Sequence, residues 1–91
     1  MSTFSEKYGR WALVTGAAMG LGAEFARQLA REGLNLVLLD IQEELLTITS
    51  QKLSSEFNVD VRPVVLDLAI PDFLSQLIAS TRDLEIGLLV N

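Results

Sequence analysis

A glycine-rich turn organises the start of this chain: Thr15-Gly16-Ala17-Ala18-Met19-Gly20-Leu21-Gly22. The apolar run Trp11–Thr15 before the turn is typical of a buried strand. After it, apolar residues recur every four positions at Leu21, Phe25 and Leu29, which predicts a helix with these side chains on its buried face. A strand, a glycine turn and a helix in this order predict the beginning of a βαβ unit.

The following segments continue the alternation of strand and helix. Gly33 marks the end of the first helix, and the nearly continuous apolar residues 34–40 predict a strand buried on both faces of a parallel sheet. Residues 42–57 predict a second helix that ends at Asn58. Its apolar stripe consists of Leu46, Leu53 and Phe57.

Two further strands and one further helix complete the pattern. Residues 61–66 predict a third strand, and Pro63, which cannot donate a ladder hydrogen bond, favours the edge of a sheet. Residues 71–80 predict a third helix, and Ile86–Val90 predict a fourth strand. The apolar positions of the third helix are Phe73, Leu74, Leu77 and Ile78. Helical connections join parallel strands, so we expect an α/β fold, the first half of a doubly wound sheet.

The composition excludes several classes of protein. The 91 residues include no Cys and no His, which excludes disulfide scaffolds, the usual zinc and haem sites, and imidazole as a general base. A net charge of −5 does not suit a nucleic-acid binder. The apolar runs are far shorter than the about 20 residues that span a bilayer, and residues 1–9 form a polar leader unlike a signal peptide. We expect a cytoplasmic protein with one domain, residues 10–91, and no membrane or nucleic-acid partner.

The glycine turn suggests a phosphate site. Gly16 permits a sharp reversal with positive φ, and Gly22 permits the helix to lie close to the sheet. The free N–H groups and the positive dipole end of the helix then face a phosphate. No Lys follows the glycines, which excludes a P-loop. The alternative is that these glycines only form a tight turn, but their position after the first strand, at the start of a helix and within a βαβ unit favours a phosphate site.

The turn resembles the TGxxxGxG motif of the short-chain dehydrogenase/reductase family. Residues 8–14, the dipeptide Asp67-Leu68 and residues 88–91 (LLVN) resemble further motifs of that family, so the resemblance covers nearly the whole chain. It implies a Rossmann-type sheet with strand order 3-2-1-4. It also implies an NAD(P)-dependent oxidoreductase that acts on CH–OH groups, with the dinucleotide bound by the turn. The turn residues expected to bind it are Gly16, Met19, Gly20, Leu21 and Gly22.

Asp40 bears on the choice of cofactor. A carboxylate at the end of the second strand accepts hydrogen bonds from the ribose hydroxyls of an adenosine and repels a 2′-phosphate. In the family, NADP-binding members carry a basic residue at positions that are Met19 and Ile41 here. The resemblance therefore implies NAD rather than NADP, with Asp40 and Ile41 at the ribose. Alternatively, Asp40 caps the helix that follows it.

Three more cofactor contacts follow from the resemblance alone. The family uses the residues corresponding to Asp67 and Leu68 beside the adenine, the first through its carboxylate and the second through its backbone. It uses the residue corresponding to Asn91 to support the loop beside the cofactor ribose. The alternative for Asp67 is a turn residue at the end of a strand.

The catalytic residues of the family lie outside this sequence. The family requires a Ser, a Tyr and a Lys four residues after the Tyr, and no Tyr-x-x-x-Lys occurs in these 91 residues. Three interpretations stay open: the first part of an NAD-dependent oxidoreductase, inactive alone; a non-catalytic nucleotide-binding or interaction module; and a structural domain whose turn binds nothing. The first agrees best with a chain that stops within a family motif. Its fourth strand would be an exposed apolar edge, so we expect a homo-oligomer or aggregate.

Overall fold

A computed structural model of the chain describes residues 10–67 and 69–90. The described residues form four strands and three helices in strict alternation. They are β1 (Trp11–Thr15), α1 (Gly20–Arg31), β2 (Asn35–Asp40), α2 (Glu43–Phe57), β3 (Val61–Val65), α3 (Phe73–Thr81) and β4 (Ile86–Val90). The four strands form one parallel sheet in the order β3-β2-β1-β4, which confirms the predicted fold class and strand order.

The second strand lies inside the sheet, as its apolar sequence predicts. Leu36, Val37 and Leu38 are fully buried, because β1 and β3 flank the strand and both of its faces are covered. Pro63 lies in β3, and no strand pairs with the outer side of β3 in the described part of the chain. The missing N–H of Pro63 is therefore accommodated at an edge, as predicted.

The buried face of α1 differs from the prediction. Leu21 is 73% exposed and Phe25 is 40% exposed, whereas Ala26 and Ala30 are buried against the sheet. Leu29 does pack against the core, although it is only partly buried. The fully buried positions are also four residues apart, but they lie one residue further along the helix than predicted and carry small alanine side chains. The larger side chains at its N-terminal end therefore face outward.

The ends of α1 and α2 agree with the sequence. Gly33 has φ +92°, its N–H donates to the Ala30 carbonyl, and the N–H of Leu34 donates to the Leu29 carbonyl, which is a Schellman motif. Asn58 ends α2 in the left-handed region. In α2, Leu46 and Leu53 are buried, and Phe57 packs against the same core.

The apolar residues of the third helix, α3, are not buried. It begins at Phe73, two residues after Pro71, and contains no buried residue. Leu74 and Ile78, predicted to be part of an apolar face, are 56% and 52% exposed. The prediction of the helix is confirmed, but these two positions do not face a core within the described residues.

Candidate functional site

The candidate site lies at the carboxyl ends of β1 and β2, where the glycine turn connects β1 to α1. Gly16 has φ +62° and Gly20 has φ +65°, in the left-handed region that disfavours any side chain. An added Cβ at either position would have nothing within 4 Å. These two glycines are therefore required by backbone conformation, and the space in front of them is open to a ligand.

Gly22 is required for a different reason. A Cβ at this position would lie 2.0 Å from the carbonyl oxygen of Gly16 and 3.2 Å from that of Thr15. The first turn of α1 thus rests directly on the backbone of the glycine turn and on the last residue of β1. The predicted close approach is confirmed, and its nearest contact is the turn itself.

The N-terminus of α1 has no acidic or capping side chain among the described residues. Met19, the N-cap residue, is extended and forms no side-chain cap, and the first turn holds no acidic residue. By contrast, the first turn of α2 carries Glu43 and Glu44. The free N–H groups and the positive dipole end of α1 therefore suit an external anion. Met19 and Leu21, both predicted at the site, are 57% and 73% exposed there.

Asp40 connects β2 to the glycine turn. Its Oδ2 accepts a hydrogen bond from the Ala18 N–H at 3.0 Å, and its Oδ1 accepts one from the Gln42 N–H at 3.0 Å. Partial burial raises the pKa of Asp40, but the backbone N–H groups of Gln42, Ala18 and Ile41 outweigh it and hold the pKa below its usual value. The carboxylate is therefore charged at neutral pH. The carboxylate is only partly buried, so a ligand can approach it from solvent.

A small pocket opens beside this carboxylate. Its volume is about 190 Å³, and its lining residues are Gly16, Leu39, Asp40, Ile41 and Leu66. The end of β3 closes it, because the Leu66 N–H donates to the Asp40 carbonyl at 3.0 Å. Asp67 follows directly, and its carboxylate accepts the Ala69 N–H at 2.8 Å. Leu68 and Asn91, the other two predicted contacts, lie outside the described residues.

Two side chains that sequence reasoning missed also reach the turn. The Thr49 hydroxyl, from α2, donates to the Ala18 carbonyl at 3.3 Å, and Gln42 Nε2 donates to Met19 Sδ at 3.6 Å. Thr49 is 31 residues from Ala18, so no local pattern in the sequence could have signalled the contact. Both contacts fasten the turn from the side of α2.

Two other features of the described chain bear on the kind of site. Within residues 10–67 and 69–90, no three His, Cys, Asp or Glu side chains come together in a way that could hold a metal ion. In the same ranges, no helix has both the length and the apolar character needed to cross a membrane.

Comparison with known proteins adds to this geometry. The sequence model of the short chain dehydrogenase family matches residues 10–91. The chain is 35% identical over 85 residues to a 7beta-hydroxysteroid dehydrogenase of Mediterraneibacter gnavus, covering 93% of this chain and 32% of that protein. It is 35% identical over 83 residues to the very-long-chain 3-oxoacyl-CoA reductase of Homo sapiens, covering 91% of this chain and 27% of that protein.

Solved structures agree with the sequence relatives. A 7beta-hydroxysteroid dehydrogenase superposes with a TM-score of 0.92 at 30% identity, covering 98% of this chain and 34% of that one. A short-chain dehydrogenase from Sphingobium yanoikuyae in complex with NADPH superposes with a TM-score of 0.80 at 34% identity, covering 87% of this chain and 31% of that one. An NAD+-bound xylitol dehydrogenase superposes with a TM-score of 0.81 at 30% identity, covering 92% of this chain and 33% of that one. The chain thus spans about a third of the length of these proteins.

Proposed function

This chain belongs to the short-chain dehydrogenase family, and we propose that its glycine turn, Asp40 and Asp67 bind the adenosine and pyrophosphate portion of NAD(H). The observation that carries the proposal is the position of the charged Asp40 carboxylate. It stands 3.0 Å from the Ala18 N–H, directly beside a helix N-terminus that carries no acidic residue in its first turn. A carboxylate that can accept hydrogen bonds from ribose hydroxyls lies beside a site for an anion, and this arrangement suits a ribose joined to a phosphate.

Each half of this ligand has a separate partner in the proposal. The pyrophosphate lies on the turn, where Gly16 and Gly20 leave open space and where the first N–H groups of a helix have no intrahelical partner. The ribose hydroxyls donate to Asp40, with the apolar side chain of Ile41 beside them. The adenine lies toward the end of β3, near Asp67 and, by family resemblance, Leu68.

We propose NAD rather than NADP as the cofactor. Relatives in this family include structures with NADPH and with NAD+, so membership alone leaves the choice open. At this site a 2′-phosphate would meet the negative charge of Asp40. The two neighbouring side chains that could offset it, Met19 and Ile41, are uncharged and exposed.

Calorimetric titration of NAD+, NADP+ and ADP-ribose into the wild type and Asp40→Ala tests the proposal. Loss of charge-assisted hydrogen bonds, about 1.5–3 kcal/mol, should weaken NAD+ and ADP-ribose about 10- to 100-fold. NADP+ should weaken less, because the substitution also removes a repulsion. Asp60→Ala, an exposed carboxylate just before β3, is the control and should change neither affinity. Equal losses for NAD+ and NADP+ would refute the ribose assignment.

The reaction proposed for the whole enzyme is hydride transfer between the cofactor and an alcohol or carbonyl substrate. NAD(H) supplies the hydride chemistry, while the residues described here bind and orient its adenosine half. The Tyr-x-x-x-Lys motif, in which the family carries its catalytic Tyr and Lys, is absent from the 91 residues. We therefore propose that these residues alone catalyse no turnover, and that Asn91 supports the loop beside the cofactor ribose as in the family.

We further propose that β4 mediates self-association of the 91-residue chain. In the described part of the chain, β4 pairs with β1 on one side and with no strand on the other. Leu89, the fourth residue of this strand, is 58% exposed. An open strand edge with apolar side chains favours pairing with another chain.

A further inference from the structure

We propose that Thr49 is a positioning residue for the phosphate-binding turn. Its hydroxyl holds one side of the Ala18 residue, while the Asp40 carboxylate holds the other. The inference deepens the proposed function and rests on it, because it concerns how the same turn presents its N–H groups to a pyrophosphate. Thr49 itself would not touch the ligand.

The backbone of the turn is fastened at three points within two residues, Ala17 and Ala18. The Ala17 N–H donates to the Leu39 carbonyl at 3.2 Å, and the Ala18 N–H donates to Asp40 Oδ2 at 3.0 Å. The Ala18 carbonyl accepts the Thr49 hydroxyl at 3.3 Å. The first two fastenings come from the end of β2, and the third comes from the middle of α2. Without Thr49, the carbonyl side of Ala18 would lose its link to α2.

Because the peptide is planar, the hydrogen bond from Thr49 to the Ala18 carbonyl also fixes the direction of the Met19 N–H. The Ala18 carbonyl and the Met19 N–H belong to one planar trans peptide, so they point in opposite directions. Thr49 pulls the carbonyl toward α2 and thereby turns the Met19 N–H away from α2. This N–H is the first of the unpartnered donors at the start of α1.

The residues around this peptide make such control necessary. Ala17 and Ala18 are buried, but Gly16 and Gly20 on either side have positive φ and no Cβ to restrict them. A turn with two such glycines can rotate its intervening peptides unless other groups hold them. Thr49 is half-buried at this contact and belongs to a helix of 15 residues, so it provides a rigid anchor.

Substitution of Thr49 tests the proposal with a matched control. Thr49→Val keeps the shape and removes the hydroxyl, Thr49→Ser keeps the hydroxyl, and Thr47→Val makes the same change at an exposed position of α2. Binding of ADP-ribose, which has a pyrophosphate, and of adenosine, which has none, is measured by NMR titration. Thr49→Val should weaken ADP-ribose about 3- to 10-fold, the range for one neutral hydrogen bond, and leave adenosine within about twofold. Thr49→Ser should restore the affinity, and Thr47→Val should not alter it.

Amide hydrogen exchange of the free protein tests the same idea without a ligand. In Thr49→Val the Ala18 amide should exchange about 3- to 10-fold faster, while amides in the middle of β2 keep their wild-type rates. Equal weakening of both ligands, failure of Thr49→Ser to restore binding, or unchanged exchange at Ala18 would overturn the role of Thr49. Absence of ADP-ribose binding by the wild type would instead refute the proposed function, and the exchange experiment would still decide whether Thr49 orders the turn.

Discussion

Replacing Gly22 with Ala sets two well-known effects against each other. Gly22 lies in the first turn of α1, and in a helix Ala is favoured over Gly by about 0.8–1.0 kcal/mol. Propensity alone therefore predicts that Gly22→Ala stabilises the protein. The structure predicts the opposite, because the new Cβ would lie 2.0 Å from the Gly16 carbonyl oxygen and 2.7 Å from its carbonyl carbon.

The size of the clash gives the expected magnitude. Real Cβ atoms essentially never approach another heavy atom within 3.0 Å, so the Gly16 carbonyl or α1 must move by about 1 Å. Both partners are backbone, and neither can rotate away as a flexible side chain could. Overpacking of this kind costs about 1–3 kcal/mol, and a rigid contact belongs at the upper end. After subtraction of the gain in propensity, Gly22→Ala should lower the free energy of unfolding by about 2 kcal/mol.

Urea unfolding, followed by circular dichroism and the fluorescence of Trp11, measures this difference. Ala23→Gly, one position further along α1, reports the propensity term and should destabilise by about 0.5–1 kcal/mol. In Gly20→Ala the new Cβ has space, but the residue must keep a positive φ, so the variant should be destabilised by about 1–2 kcal/mol. A Gly22→Ala variant as stable as the wild type, or more stable, would show that the first turn of α1 does not rest on the glycine turn as described.

Two further predictions concern acid and self-association. The pKa of folded Asp40 lies below its usual value, so its contribution to stability is complete above that usual value and is lost as the pH falls through the folded pKa. Asp40→Asn should therefore flatten the loss of stability between about pH 5 and pH 2 in urea titrations, and a slope equal to that of the wild type would contradict this. For the proposed β4 edge, light scattering after size-exclusion chromatography should show a mass that rises with concentration, and Leu89→Lys should reduce it. A stable wild-type monomer at micromolar concentration would contradict that proposal.

Local patterns in the sequence predicted most of the fold. The bounds of β1 and β4 agree with the structure to the residue, and those of the other elements agree within two. These elements are marked by features that act over a few residues: apolar runs, helix ends at Gly33 and Asn58, and an edge proline. The strand order 3-2-1-4 came from the family resemblance and is confirmed by the pairing of the strands.

The orientation of α1 could not be predicted in this way. Leu21 and Phe25 have the larger apolar side chains, and hydrophobicity alone places them inside. The close contact of Gly22 with the backbone of the turn brings the first turn of α1 against the end of β1. The small side chains of Ala26 and Ala30 are buried on this helix, whereas Leu21 and Phe25 are exposed and Leu29 is only partly buried. A pattern of hydrophobicity records which residues are apolar, but it carries no measure of the space available.

The contacts of Asp40 bear on whether its carboxylate caps a helix or binds a ribose. Helix capping and ribose binding were alternatives for its carboxylate. The N-cap residue of α2 is Gln42 rather than Asp40, and the Asp40 oxygens accept the Gln42 N–H just before the helix and the Ala18 N–H of the turn. The carboxylate is only partly buried, so a structural role and the proposed ribose contact are compatible. A fall in affinity on mutation of Asp40 is therefore ambiguous by itself, since the turn is loosened too. The ratio of the NAD+ and NADP+ affinities within one variant removes that ambiguity, because loosening of the turn affects both dinucleotides alike and only the 2′-position distinguishes them.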